Sequence, residues 1–233
     1  MHTLMTRDSF IQIKFVRDEL RAKNECVAGI FVPWAGPRLI PDGGIYCVGI
    51  ATDGDYGADE SQTFERCYSW AATVGNGERH ERSHTPFWRF LDELSSRLLG
   101  APSHETADRW GWSNLLKIGY CTGSPSEWPE LVITAQRPAC IECLKHEFSR
   151  LQQTLIFIGS NDDHGILSES LAKKPEWDKS EEDAGIYWWW DEGPSNLYVH
   201  GYHAKFAQLG HFFEAQLKRT VDLARRRLPW VSN

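Results

Sequence analysis

No apolar run in this chain approaches the roughly 20 residues needed to cross a bilayer as a helix, so no transmembrane segment is expected. The N-terminal residues carry Arg7, Asp8 and Lys14 among their apolar positions, which argues against a secretory signal. Glycine-rich phosphate cradles are missing: neither GxGxxG nor GxxxxGK followed by Ser or Thr occurs. There is no Gly-x-Ser-x-Gly elbow, so Ser113 and Ser160 are not presented as α/β-hydrolase nucleophiles. Positive charge is in short supply, with 25 Lys and Arg against 32 Asp and Glu and a net charge of -7. That balance argues against a surface attracting nucleic acid over its whole extent. Lys218, Arg219 and Arg225 to Arg227 are the local exception and read as a solvated helix face.

Internal repeats and long linkers are absent as well, which predicts one domain: residues 1–43 as an N-terminal helix and lead-in, 44–233 as an α/β core. A second Cys-x-x-Cys is missing, so Cys140 and Cys143, one helical turn apart, read as small packing hydrophobes rather than ligands. His80 and His84 with Glu78 and Glu81 read as an exposed polar loop. No metal and no cofactor is expected. The six cysteines, without a secretory signal, predict reduced thiols in a cytoplasmic protein. What the chain has in surplus is tryptophan, 11 copies, most of them expected in an aromatic core.

The hydrophobic pattern alternates in period. An amphipathic helix is expected over 8–23, capped by Asp8 or Ser9, with Phe10, Ile13, Phe15, Val16 and Leu20 to one side. After an irregular lead-in over 31–41, the apolar run Ile45 to Ala51 reads as a buried strand. Helices are expected over 60–72 and 87–99, the latter opened by Thr85-Pro86 and ended by Gly100. Next come a strand over 110–119, a loop over 120–138 and a helix over 140–151. A strand over 154–159 and a short helix over 166–172 follow. An aromatic strand or turn over 186–190, a strand over 196–200 and a helix over 205–227 complete the pattern. Strand, helix, strand, helix in this order predicts a doubly wound α/β fold with a four-stranded parallel sheet and helices on both faces.

Polar groups recur where those strands end, and ligands bind at that edge of an open α/β sheet. Asp53 and Asp55 follow the first strand on a glycine-bent loop; Ser113 and Asn114 interrupt the second. Ser160, Asn161 and Asp162 follow the third, and Tyr202 and His203 the fourth, with Tyr68 on the helix after the acidic loop. A carboxylate, an amide, an imidazole and an aromatic face suit a flat hydrogen-bonding ring better than a phosphate tail.

Four segments in this order resemble the uracil-DNA glycosylase superfamily over residues 44–215. Val48-Gly49-Ile50-Ala51-Thr52-Asp53 is similar to its water-activating motif and Trp112-Ser113-Asn114-Leu115 to its base-reading strand. Leu155 to Gly159 is similar to its third strand and Val199-His200-Gly201-Tyr202-His203 to its closing histidine motif. Phe87 to Leu91 resembles the helix placed before its second strand. The resemblance implies a three-layer α/β/α fold and a base flipped into a pocket at the strands' carboxyl ends. It implies Asp53 or Asp55 as the acid that polarises water, and His203 as donor to the departing base. Asn114 would read the base edge, with Tyr68, Ser113 and Tyr202 at the base site. DNA, or a nucleobase or nucleotide, is the implied partner. Gly54 after Asp53, and Ala204-Lys205 after His203 in place of Pro-Ser, depart from that pattern, and the choice between Asp53 and Asp55 stays open.

Overall fold

The computed structural model describes residues 4–51, 62–76, 86–121, 125–160, 165–171, 186–201 and 213–231. Its strands are β1 (Val27–Ile30), β2 (Trp34–Ala35), β3 (Ile45–Gly49), β4 (Trp110–Asn114), β5 (Ile118–Tyr120), β6 (Leu155–Gly159), β7 (Ile186–Asp191) and β8 (Asn196–Gly201). Its helices are α1 (Arg7–Ala22), α2 (Leu39–Asp42), α3 (Phe64–Gly75), α4 (Pro86–Leu99), α5 (Glu130–Arg150), α6 (Ile166–Ser170) and α7 (Phe213–Arg227).

The main sheet runs β2-β4-β3-β6-β8-β7. Its four inner strands, β4, β3, β6 and β8, are parallel, and these are the four strands expected from the apolar runs. Their residues are buried almost without interruption, because helices cover both faces of a parallel sheet. Alternation along each strand divides the core. Tyr46, Val48, Ile156, Ile158 and Tyr198 pack with α1, α5 and α6; Ile45, Cys47, Leu155, Phe157 and Val199 pack with α4 and α7.

Among the described residues the sheet has six strands rather than four, since β2 and β7 add antiparallel edges. The stretch 110–119 is not one strand. β4 ends at Asn114, the chain turns through Leu115 to Lys117, and β5 leaves to pair antiparallel with β1 in a separate two-stranded sheet. The helix expected from residue 140 begins at Glu130 and carries Pro138 inside it. Proline reads as a loop signal because it lacks an N–H donor, yet one missing bond is tolerated in a long packed helix. Thr6, not Asp8 or Ser9, caps α1, its Oγ1 accepting from Ser9 N at 3.0 Å. Phe15 is exposed, and Arg17 is buried with Phe10, Ile13 and Leu20 because it shares their helical stripe. Its Nη1 donates to Gln62 Oε1 at 2.7 Å.

Cys26 and Cys121 form a disulfide, which corrects the expectation of six reduced thiols. The antiparallel pairing of β1 with β5 sets Val27 opposite Tyr120 and so brings the neighbouring cysteines to a Cα separation of 5.5 Å. Cys47, Cys67, Cys140 and Cys143 are free and buried. Trp34, Trp88, Trp110, Trp112, Trp128 and Trp189 are buried, as expected of a tryptophan-rich core. Trp88 contacts the rings of both Trp110 and Trp112 edge-on at 5.9 and 4.9 Å. Among the described residues no helix is long and apolar enough to cross a membrane.

Candidate functional site

Asn114 is the last residue of β4 and stands in register with Gly49, the last of β3. Val48 pairs with Ile158 on β6, and Gly159 with Gly201 on β8. The carboxyl edge of the parallel sheet is thus a row of one asparagine and three glycines. Side chains at these positions would point toward α4 and α7. A Cβ on Gly49 would lie 2.8 Å from Asn114 Oδ1 and 3.8 Å from Phe87 Cε2. A Cβ on Gly201 would lie 2.6 Å from Oε1 of the fully buried Gln216. Two carboxamides therefore lie over glycines that make room for them.

The Asn114 amide is unusual in its bonding. The residue is 3% exposed, yet its Nδ2 has no hydrogen-bond partner among the described residues. An unpaired buried amide costs on the order of 1–3 kcal/mol, so such groups mark places to explain. Its backbone, by contrast, is held firmly: Lys117 Nζ donates to Asn114 O at 2.7 Å.

Ser113 points to the opposite face of β4. It is fully buried, and its Oγ lies 2.5 Å from Lys117 Nζ. Lys117 Nζ also forms an ion pair with Glu147 Oε1 at 2.7 Å, both side chains fully buried. Tyr46 OH donates to Glu147 Oε2 at 2.8 Å, and burial together with the Glu147 carboxylate raises the phenol's pKa well above its ordinary value. Ser113 is thereby part of a buried polar cluster under the sheet edge and presents no exposed nucleophile. Tyr68 is half-buried on α3 with its ring stacked on Phe64 at 6.4 Å. Asp53, Asp55, Tyr202 and His203 lie outside the described residues.

Three further residues come to this edge. Ser160 is buried directly after β6, and its carbonyl accepts a hydrogen bond from His200 Nε2 on β8. Gln216 reaches Gly201 from α7. The Ser160 and His200 positions were visible in the strand-end pattern; Gln216, one polar residue in a helix, gave no local signal.

Cys140 and Cys143 face the core, and Cys140 Sγ donates to Gln136 Oε1 at 3.5 Å. Burial pushes each thiol up to about 12, as expected of packing groups. Among the described residues no three His, Cys, Asp or Glu side chains are grouped to hold a metal ion. Arg225, Arg226 and Arg227 are exposed. Arg225 donates to Arg97 O near the end of α4, and Trp230 just beyond packs at Gly43, ahead of β3. This basic cluster therefore lies at the amino ends of the parallel strands, opposite Asn114. No protein-family model matches the chain, and no curated protein matches it.

Proposed function

We propose that the carboxyl edge of the sheet receives a planar nitrogen heterocycle, and that the chain is a uracil-DNA glycosylase-like enzyme acting on an altered base. The observation that carries the reading is the Asn114 carboxamide, buried beside Gly49 with its Nδ2 donor unpaired among the described residues. A carboxamide offers one acceptor and two donors in a plane, which matches the edge of a base. The helices on both sheet faces and the four parallel inner strands support the three-layer layout that the sequence resemblance implies.

In this reading Asp53 or Asp55, four and six residues past Gly49 in the sequence, polarises a water molecule. The water oxygen bonds to the sugar carbon as the carbon–nitrogen bond breaks and the base takes the bonding pair, and the water's proton passes to the Asp carboxylate. His203 donates to the base as negative charge gathers on it, a stabilisation that grows toward the transition state. Tyr68 and Tyr202 supply ring surface and Ser113 supports the Asn114 segment. Extruding a base from a strand costs a few kcal/mol, offset by stacking and edge hydrogen bonds.

The second reading is a non-catalytic binder of a base or nucleotide at the same edge. Two observations favour it: the net charge of -7, and the position of the basic cluster at the far end of the sheet. A base-release assay on single- and double-stranded oligonucleotides bearing uracil and other altered bases separates the two. Release that is lost in Asp53→Asn or Asp55→Asn and in Asn114→Ala supports the enzyme. Thermal stabilisation by bases, lost in Asn114→Ala and without any release, supports the binder. Folded protein that neither releases nor binds a base refutes both.

A further inference from the structure

We infer that the buried Lys117–Glu147 pair, joined by Tyr46, is a positioning device that holds the backbone after β4 so that the Asn114 carboxamide stays over Gly49. The importance of that amide rests on the heterocycle reading; the positioning itself does not.

The hydrogen bonds converge on one short segment. Lys117 Nζ reaches Ser113 Oγ and Asn114 O. Leu115 N and Leu116 N donate to Gly49 O and Ile50 O, each at 2.9 Å. Gln136 Oε1 accepts from Lys117 N at 3.1 Å and from Ile118 N at 2.8 Å, and its Nε2 donates to Ile118 O. Phe31 N donates to Lys117 O at 2.7 Å. Every backbone N–H from Leu115 to Ile118 thus has a partner, and three carbonyls of the segment accept bonds. Glu147 ties this segment through Tyr46 to β3, the strand that ends at Gly49.

Stability alone gives little reason for such a pair. Taking two charges out of water costs several kcal/mol per ion, and apolar residues of similar volume often serve as well or better. The pair does supply a charge-assisted clamp that apolar residues lack: one ammonium grips a side chain and a carbonyl of the Asn114 segment. A recognition group whose backbone is fixed before binding loses less freedom when the ligand arrives. An amide held this way keeps its donor available rather than turning to satisfy it elsewhere in the core.

The test replaces the pair with apolar residues of similar size, Lys117→Met with Glu147→Leu, and reads the Asn114 side-chain amide by nitrogen-15 relaxation in the ligand-free protein. The expected result is a fold that survives, with a denaturation midpoint at or above the wild type, while the Asn114 amide loses order or splits into several signals. For any base that binds the wild type in a thermal-shift panel, affinity is expected to fall about tenfold or more, since misplacement of order 1 Å carries losses of that scale. A folded double variant whose Asn114 amide is as ordered as in the wild type overturns the inference. Should that variant fail to fold, Tyr46→Phe is decisive, since it removes only the hydroxyl on Glu147. Lower Asn114 order in it supports the device, and unchanged order overturns it. A panel in which no base binds the wild type refutes the heterocycle reading alone, because the relaxation measurement needs no ligand.

Discussion

Reducing the Cys26–Cys121 disulfide should lower stability substantially while leaving the native fold in place. The bond closes a loop with a sequence separation of 95 residues. In the chain-entropy relation a loop near this length corresponds to about 4.7 kcal/mol, and typical measured values are about 2–4 kcal/mol. Little of that comes from native contacts. Both cysteines are exposed, so reduction opens no cavity, and Cys121 N still donates to Cys26 O at 2.9 Å. The β1–β5 pairing at Val27–Tyr120 and Ile30–Ile118 also persists without the sulfurs. The loss acts through the unfolded chain, which gains freedom when the link is cut. Urea denaturation with and without a reductant measures it, with the Cys26→Ser, Cys121→Ser double variant as control. The wild type should lose about 2–4 kcal/mol on reduction, and the double variant should start at the lower value and ignore the reductant. Thiol titration should find four reactive cysteines in the unfolded oxidised protein, the remaining two of six appearing after reduction. A wild type indifferent to reductant, or a double variant that still responds, refutes the reasoning.

Alkaline pH should destabilise the protein. Cys140 and Cys143 have folded pKa values raised by burial to about 12 from 9.0, so their contribution is complete below the unfolded value and is lost as pH climbs through that window. Each group then removes up to about 1.4 kcal/mol per pH unit, and a denaturation midpoint that rises between about pH 8 and about pH 10 would contradict this. Gly49→Ala places a methyl 2.8 Å from Asn114 Oδ1, forcing the carboxamide aside. A cost of about 1–3 kcal/mol is expected by thermal unfolding, with a shifted Asn114 amide signal, and an unmoved signal would count against the described contact. Gln62→Ala removes the acceptor shared by Arg17 Nη1 and Ile30 N, both otherwise in buried surroundings. Its expected cost is about 1–3 kcal/mol in urea, and a loss below about 0.5 kcal/mol would show that water replaces the amide.

The two halves of this molecule were unequally legible. Ile45 to Gly49 and Leu155 to Gly159 announce themselves as strands because a strand buried on both faces needs an unbroken apolar run. The stripes of α1 and α4 follow from helical spacing, and Asn114 stood out as an amide where an apolar residue was due. The same rules place Phe15 on the buried side and Pro138 in a loop ahead of the helix, since local rules weigh a residue type without knowing what it packs against.

Periodicity and strand-end chemistry thus decided the α/β class, the four inner strands and the amide at their edge, because each depends on neighbours within a few residues. Only folding decided that Glu147 meets Tyr46 across 101 positions, that Cys26 finds Cys121, and that Lys117 is buried rather than solvated. A charged residue or a cysteine shows the same face in any sequence; its partner is chosen by the path the backbone takes through space.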